Sequence, residues 1–166
     1  GLAGGPLDRR GRSMTMRNTD HAAYAELSNP LYSSTPFFHG HADGATYGLF
    51  LNNPSTAVFD FANANPEVLS VAATGGTLNY YLMAGPTPAA VAASFTALTG
   101  ATAVPPRWAL GYLQAHFGYD SAAQVLSLAR EFRNRAIPCD AFFLDLDYTD
   151  HLFTFSWNPI TWPDPN

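Results

Sequence analysis

The chain has 166 residues, a formal net charge of -5 and eight basic residues, all of them arginine. Its content of 47% hydrophobic and 13% charged residues excludes a disordered chain, and its acidic balance excludes nucleic-acid binding, which needs a concentrated basic face on a net-positive domain. The absence of lysine excludes Schiff-base chemistry and a lysine general base.

The first part of the chain has the pattern of an antiparallel β-sandwich. Residues 1–20 are rich in Gly and Arg and predict a loop with at most one short strand, around 13–17. From Leu31 onward, short apolar runs alternate with turn residues at spacings of about ten residues, which favours a sandwich over βαβ units. The predicted strands are 31–38, 46–51, 57–61, 68–73 and 78–83.

A short amphipathic helix follows the strands. Thr87 is a good N-cap, Pro88 suits the first helical position, and Gly100 supplies the stop signal. Three apolar residues recur at helical spacing between these signals, so this helix should pack on another element. They are Val91, Phe95 and Leu98.

The residues after the helix predict a strand-helix-strand unit. Residues 101–106 form a linker, and residues 108–115 an apolar strand. Ser121 can cap the next helix, with Gln124 completing a capping box, and Pro138 is expected to end it. A strand at 141–146 then completes two parallel neighbours joined by a crossover.

Two acids stand at the end of this last strand, Asp145 and Asp147. Side chains two residues apart on a strand share a face, and an apolar strand ending in acids is typical of the active rim of a parallel barrel. The alternative is that these carboxylates only cap the next turn.

Two parallel strands do not make a domain, because they leave apolar faces and open edges. We therefore expect this unit to begin a larger parallel barrel or to dock on a part of the protein outside this chain. A further short strand is predicted at 153–155, followed by a loop rich in Pro and Trp.

Several site classes find little support in the sequence. Cys139 is the only cysteine, so no intrachain disulfide is expected, and it is predicted to be a small core residue. His39, His41 and Asp43 are too few for a metal site, and the Asp43-Gly44 turn explains Asp43 without one. We predict no metal and no cofactor.

No compartment is indicated by the sequence. Apolar runs stay well short of the roughly 18 residues of a membrane span, so no membrane partner is predicted. Residues 1–6 lack the charged region and apolar core of a signal peptide. The first residue is not Met, which fits a fragment or a processed product.

Ten short motifs occur in one order along the whole chain. In the second half they are 105–112 (PPRWALGY), 117–119 (FGY), 137–140 (IPCD), 144–148 (LDLDY) and 155–158 (FSWN). In the first half they are 18–20 (NTD), 30–32 (PLY), 35–38 (TPFF), 47–50 (YGLF) and 80–88 (YYLMAGPTP). This order resembles glycoside hydrolase family 31, the retaining α-glucosidase and α-xylosidase family.

The resemblance implies a fold and an activity. In the family, an N-terminal β-sandwich precedes a (β/α)8 catalytic barrel. Residues 1–100, with the helix at 87–99, then correspond to the C-terminal part of the sandwich domain. Residues 101–166 correspond to the start of the barrel, which is incomplete without the remainder of the protein. The implied reaction is hydrolysis of terminal α-linked glucose or xylose from oligosaccharides or glycosides.

The resemblance also implies roles for individual residues. Asp145 matches the acid that binds hydroxyls of the sugar in subsite -1, and Leu146 matches an apolar wall of that subsite. Phe117 matches an aromatic residue lining the same pocket, in a motif that commonly reads Arg-Trp where this chain has His116-Phe117. Asp20 matches an acid on a sandwich loop that reaches toward the +1 sugar. Asp147 is expected to support Asp145.

No catalytic residue is predicted within the chain. The family's nucleophile and acid/base lie in later motifs, expected beyond Asn166, so the chain alone should be inactive. Retaining glycosidases need two carboxyl groups about 5 Å apart on opposite sides of the scissile bond, which Asp145 and Asp147 cannot supply from one strand face. Two alternatives stay open, namely a stand-alone carbohydrate-binding sandwich module and a purely structural sandwich.

Overall fold

The computed structural model describes residues 4–165 and divides into two compact units, Gly1–Ala101 and Thr102–Asn166. Within the described residues, the first unit contains β1 (Arg12–Met16), β2 (Phe37–Ala42), β3 (Ala45–Leu51), β4 (Ala57–Phe61), β5 (Leu69–Ala73), β6 (Tyr80–Gly85) and α1 (Pro88–Thr99). The second contains a 3-10 turn (Arg107–Leu110), β7 (Leu113–His116), α2 (Ala122–Asn134), β8 (Ala141–Leu144) and a second 3-10 turn (Leu146–Tyr148).

The first unit is an antiparallel β-sandwich, as the strand pattern predicts. One sheet has the strand order β1-β4-β5 and the other β2-β3-β6, and every pairing is antiparallel. The centre of the core is formed by Leu51, Ala57 and Phe59, each 1% exposed. Partly buried residues of both sheets pack around it, which are Met14, Met16, Phe38, Leu49, Phe61 and Val71.

The hairpin of β2 and β3 turns at Asp43-Gly44, where both residues have positive φ, 52° and 76°. Asp-Gly is the sequence that a two-residue turn of this kind prefers, so the predicted turn is confirmed. The predicted strand at 31–38 is wrong in its first six residues. Leu31 O accepts a hydrogen bond from Thr19 N and Ser34 N donates to Asn18 Oδ1. These backbone groups therefore make loop contacts and no hydrogen bonds to a neighbouring β-strand.

Helix α1 has the predicted bounds and covers one face of the β2-β3-β6 sheet. Thr87 Oγ1 accepts a hydrogen bond from Ala90 N at 3.2 Å, and Pro88 is the first helical residue. Val91 is fully buried at 0% exposure, and the ring of Phe95 stacks on Phe37 at 4.1 Å. Since Phe37 and the core residue Phe38 alternate along β2, α1 lies on the sheet face opposite the sandwich core.

The second unit contains the predicted parallel pair. Strands β7 and β8 run in the same direction, with Leu113 opposite Ala141 and His116 opposite Leu144. Helix α2 connects them, capped by Ser121 Oγ, which accepts from Gln124 N at 3.3 Å. The Phe132 ring of α2 contacts Tyr112 and Phe142, each at 5.8 Å between centroids.

The first strand and the helix of this unit differ from their predicted bounds. Arg107–Leu110 forms a 3-10 turn closed by Ala109 N to Pro106 O and Gly111 N to Trp108 O, so the strand begins only at Leu113. Helix α2 ends at Asn134, before Pro138, because Ala136 takes a positive φ of 54°.

Two further local predictions are corrected. The Gln124 side chain accepts from Asp120 N at 2.7 Å, so the reciprocal bond of the capping box falls one residue before Ser121. No strand forms at 153–155, where Phe153 N donates to Asp150 O and Phe155 has a φ of 63°. Those are turn features, and they divert the backbone from extended pairing.

Burial agrees with the simpler predictions. Cys139 is buried at 6% exposure, as a small core residue should be. Across the part of the chain that the structure describes, no helix has the length and apolar character needed to cross a lipid bilayer.

Candidate functional site

The ends of β7 and β8 bring two predicted site residues to one edge of the sheet. The parallel ladder closes with His116 opposite Leu144, so the residues that follow, Phe117 and Asp145, leave the sheet side by side. The carboxyl ends of parallel strands are where the residues of a barrel's site gather. Both residues are exposed, Phe117 at 72%.

The two carboxylate oxygens of Asp145 differ in their hydrogen bonding. Its Oδ1 accepts a hydrogen bond from Leu146 N at 2.8 Å and so caps the second 3-10 turn. Within residues 4–165, the other carboxylate oxygen has no hydrogen-bond partner. The capping alternative is therefore observed, and it leaves Asp145 able to accept a further hydrogen bond from a ligand hydroxyl.

The prediction that Asp145 and Asp147 share a strand face is wrong. Strand β8 ends at Leu144, and Asp147 lies within the 3-10 turn that Asp145 caps. A 3-10 helix has three residues per turn, so side chains two apart point in different directions. The strand-face argument against a catalytic pair fails with it, so the choice of substrate binding over catalysis for these acids rests on the family resemblance.

Asp147 lies beside the loop that follows β7. Its Oδ2 is 3.8 Å from the position that a Cβ atom on Gly118 would occupy, and Gly118 has a φ of 83°. Glycine adopts this backbone conformation without steric cost. Leu146, which lies between the two acids in the sequence, is 54% exposed. The edge thus presents an aromatic ring, an apolar side chain and two carboxylates.

The turn that holds these acids is fixed from its C-terminal side. Thr149 is buried at 6% exposure, and both its amide and its hydroxyl donate to Leu146 O, at 3.0 and 2.6 Å. Asn158 N donates to Tyr148 O at 2.8 Å. These bonds connect the 3-10 turn to the loop that follows it. The position of the turn is therefore fixed by this loop as well as by strand β8.

Asp20, the fourth predicted site residue, belongs to the first unit. It is exposed on the loop between β1 and β2. Its neighbours are anchored, because Thr19 N donates to Leu31 O at 3.1 Å, and Asn18 Oδ1 accepts from both the amide and the hydroxyl of Ser34. The Asp20 carboxylate itself accepts no hydrogen bond from residues 4–165.

Three residues that support these positions were not predicted from the sequence. They are Tyr24, which bonds the backbone on both sides of Asp20, Gly118 beside Asp147, and Thr149 behind Leu146. Only Gly118 carried a sequence signal, because a glycine just after a strand often marks a close approach or a left-handed backbone.

The arrangement suits a polyhydroxylated ligand. Ionised carboxylates accept strong hydrogen bonds from hydroxyl groups, and an aromatic ring provides a surface for an apolar C–H face. No three His, Cys, Asp or Glu side chains in the described range 4–165 converge as a metal site requires.

Two family models match the chain. Residues 3–60 match the glycosyl hydrolase 31 N-terminal galactose mutarotase-like domain, and residues 102–166 match the glycosyl hydrolases family 31 TIM-barrel domain. The second match includes Phe117, Asp145, Leu146 and Asp147, and the first includes Asp20.

Known proteins are similar to this chain over nearly its whole length. α-Glucosidase 2 of Bacillus thermoamyloliquefaciens is 41% identical over 93% of the chain, and an α-glucosidase of Saccharolobus solfataricus is 31% identical over 96%. The GH31 dextranase of Flavobacterium johnsoniae, solved with isomaltotriose, is 34% identical over 96% of the chain with a TM-score of 0.87. The chain spans 20%, 23% and 19% of these proteins, respectively.

Proposed function

Because the chain belongs to glycoside hydrolase family 31, we propose that it contributes substrate-binding side chains to a retaining α-glycosidase. In this proposal, residues 1–100 are sandwich domain and residues 101–166 begin the catalytic barrel. The division of the structure into two units and a TIM-barrel family match beginning at residue 102 support that boundary. The nucleophile and acid/base are supplied by barrel residues outside this chain.

One observation carries the proposal, the shared edge at which β7 and β8 deliver Phe117 and Asp145. The ladder register sets both residues at the carboxyl ends of neighbouring parallel strands. Asp145 keeps one oxygen free while its other oxygen caps the 3-10 turn. A carboxylate held by its own turn is pre-organised, so little conformational entropy is lost when it accepts a sugar hydroxyl.

The proposed roles follow from the chemistry of each side chain. Asp145 accepts hydrogen bonds from hydroxyls of the terminal sugar in subsite -1. Phe117 and Leu146 supply apolar surface to the C–H face of that sugar. Asp147 supports this edge from beside Gly118. Asp20 accepts hydrogen bonds from the next sugar, in subsite +1.

The proposed substrate is an oligosaccharide or glycoside ending in α-linked glucose. Glucose is favoured over xylose because the two curated relatives are α-glucosidases and the structural relative is a dextranase bound to isomaltotriose. An exposed aromatic residue and two carboxylates at one sheet edge fit any pyranose, so the structure of this edge does not by itself select the linkage.

The test is a linkage panel with the complete product of the gene that encodes this chain. Glucose release is measured from maltose and isomaltose, with cellobiose as the β-linked control. The proposal expects hydrolysis of at least one α-linked disaccharide and none of cellobiose. Absence of turnover on every α-linked substrate, including aryl α-glucoside and α-xyloside, would overturn it.

A further inference from the structure

The hydroxyl of Tyr24 joins the two peptide groups on either side of Asp20. It donates a hydrogen bond to Thr19 O and accepts one from His21 N at 3.3 Å. Thr19 O belongs to the peptide that precedes Asp20, and His21 N belongs to the peptide that follows. One phenol hydroxyl has a single proton and two lone pairs, so it can make both bonds at once.

This bridge restricts the backbone of Asp20 more than either bond alone. The two soft backbone dihedrals of a residue decide where its side chain starts, and here the groups at both ends of Asp20 share one anchor. The Tyr24 ring is held as well, since the His21 imidazole contacts it edge-on at 5.7 Å with an interplanar angle of 79°.

The rest of the loop holds Tyr24 in place. Ala25 N donates to Ser28 Oγ at 2.8 Å, and Ser28 N donates to Ala25 O at 3.1 Å, which closes a turn directly after Tyr24. Asn29 ties the same loop to β1 through Thr15 N and Ser13 O, at 2.8 and 3.1 Å. Side-chain hydrogen bonds therefore anchor this loop both directly after Tyr24 and at Asn29.

We propose that Tyr24 is a positioning residue for Asp20, fixing the direction in which that carboxylate meets the hydroxyl groups of the aglycone sugar. This inference rests on the proposed function, because it assumes that Asp20 binds the +1 sugar. Tyr24 does not touch substrate in this account. Its hydroxyl instead removes conformational freedom from Asp20 before the substrate arrives, which lowers the entropic cost of binding.

A positioning role predicts an effect that depends on the aglycone. Maltose carries hydroxyls on its second sugar, whereas the nitrophenyl ring of p-nitrophenyl α-glucoside carries none. In the complete gene product, Tyr24→Phe should lower kcat/KM for maltose about three- to tenfold, mainly through KM, because it removes two hydrogen bonds of ordinary strength. The same variant should change kcat/KM for the aryl glucoside less than about twofold.

The decisive comparison is a double-mutant cycle with Asp20→Asn, measured on maltose. If Tyr24 acts through Asp20, then the loss caused by Tyr24→Phe is smaller in the Asp20→Asn background, because the charge that Tyr24 positions is gone. A Tyr24→Phe loss that is equal on both substrates, or that persists in full in the Asp20→Asn background, would overturn the inference and leave Tyr24 as a packing residue.

The cycle also separates this inference from the proposed function. If Asp20→Asn leaves maltose kinetics unchanged, the role of Asp20 fails and the positioning role fails with it. If Asp20→Asn raises KM while Tyr24→Phe does not, only the positioning role fails. Tyr32→Phe is the matched control, because Tyr32 is 64% exposed in the same loop and its hydroxyl has no hydrogen bond to residues 4–165. It should leave both substrates unaffected.

Discussion

Oδ2 of Asp147 lies 3.8 Å from the point where a Cβ atom of Gly118 would stand. A methyl group there would be in van der Waals contact with the carboxylate and would displace water from it. Gly118 also has a φ of 83°, which costs a non-glycine residue about 1–2 kcal/mol. We therefore expect Gly118→Ala, in the complete gene product, to lower the free energy of unfolding by that amount and to raise KM for an α-linked disaccharide.

The control for Gly118→Ala is Gly44→Ala. Gly44 has a φ of 76° in the turn between β2 and β3, and its added Cβ would meet nothing within 4 Å. It has a similar positive φ without a neighbouring carboxylate. Thermal melts should show similar losses for both variants, while only Gly118→Ala changes KM. Equal KM effects would mean that strain alone acts, and the contact with Asp147 would then have no role.

The close approach of α1 to its sheet gives a second prediction. A Cβ on Gly48 would lie 2.6 Å from Val91 Cγ1, and Val91 is fully buried. Gly48→Ala should destabilise the protein by about 1–3 kcal/mol, because overpacking forces the helix or its side chains to move. Chemical denaturation measures the loss.

Adding Val91→Ala to that variant tests the cause. Removing the methyl groups of Val91 relieves its 2.6 Å contact with the new Cβ, although the Phe37 ring stays at 2.8 Å, so the two losses should be less than additive. Gly75→Ala is the open control, since its Cβ would meet only Ser55 Oγ at 3.7 Å. Strict additivity of Gly48→Ala and Val91→Ala would show that the two residues do not compete for one space.

A third prediction concerns the cap of α1. Thr87 Oγ1 is the acceptor for Ala90 N, so Thr87→Ala should cost about 1 kcal/mol of stability by leaving that amide without its cap. Thr87→Ser keeps the hydroxyl and should retain most of the stability. A thermal melt in which the Ala and Ser variants coincide would contradict the capping role.

Predictability differed between elements for a physical reason. The bounds of α1 were predictable because Thr87, Pro88 and Gly100 are local signals. The end of β8 was not, because Asp145 turns its carboxylate onto the next amide and starts a 3-10 turn. The start of β2 was also missed, because Leu31 and Ser34 bond with Thr19 and Asn18, more than ten positions earlier.

The residues of the candidate site also differ in how far the sequence could predict them. The strand-helix-strand unit was predicted from local signals, whereas the pairing of Phe117 with Asp145 in one pocket was implied only by the family resemblance. The direction of Asp147 was mispredicted, because strand periodicity was extended past Leu144. The role of Tyr24 could not be predicted, because its hydrogen bonds to the peptides around Asp20 depend on the shape of a loop with no periodic pattern.

A fourth prediction is that the 166-residue chain has no glycosidase turnover by itself. In the proposed function the chain carries binding carboxylates and an aromatic ring but no nucleophile and no acid/base, and cleavage needs such a pair. Incubation with p-nitrophenyl α-glucoside should release no more nitrophenol than a buffer blank. Turnover that persists through purification and follows the protein concentration would contradict this.

The most direct test of the central claim is kcat/KM of Asp145→Asn on maltose or isomaltose, in the complete gene product. The amide oxygen of Asn can still accept from Leu146 N, so the turn is kept while the charge is lost. We predict a fall of about 10- to 100-fold, the strength of a hydrogen bond to a charged group. Asp164→Asn, an exposed control in the same unit, should stay within about twofold. A kcat/KM for Asp145→Asn that also stays within twofold would contradict the assignment of Asp145 to sugar binding.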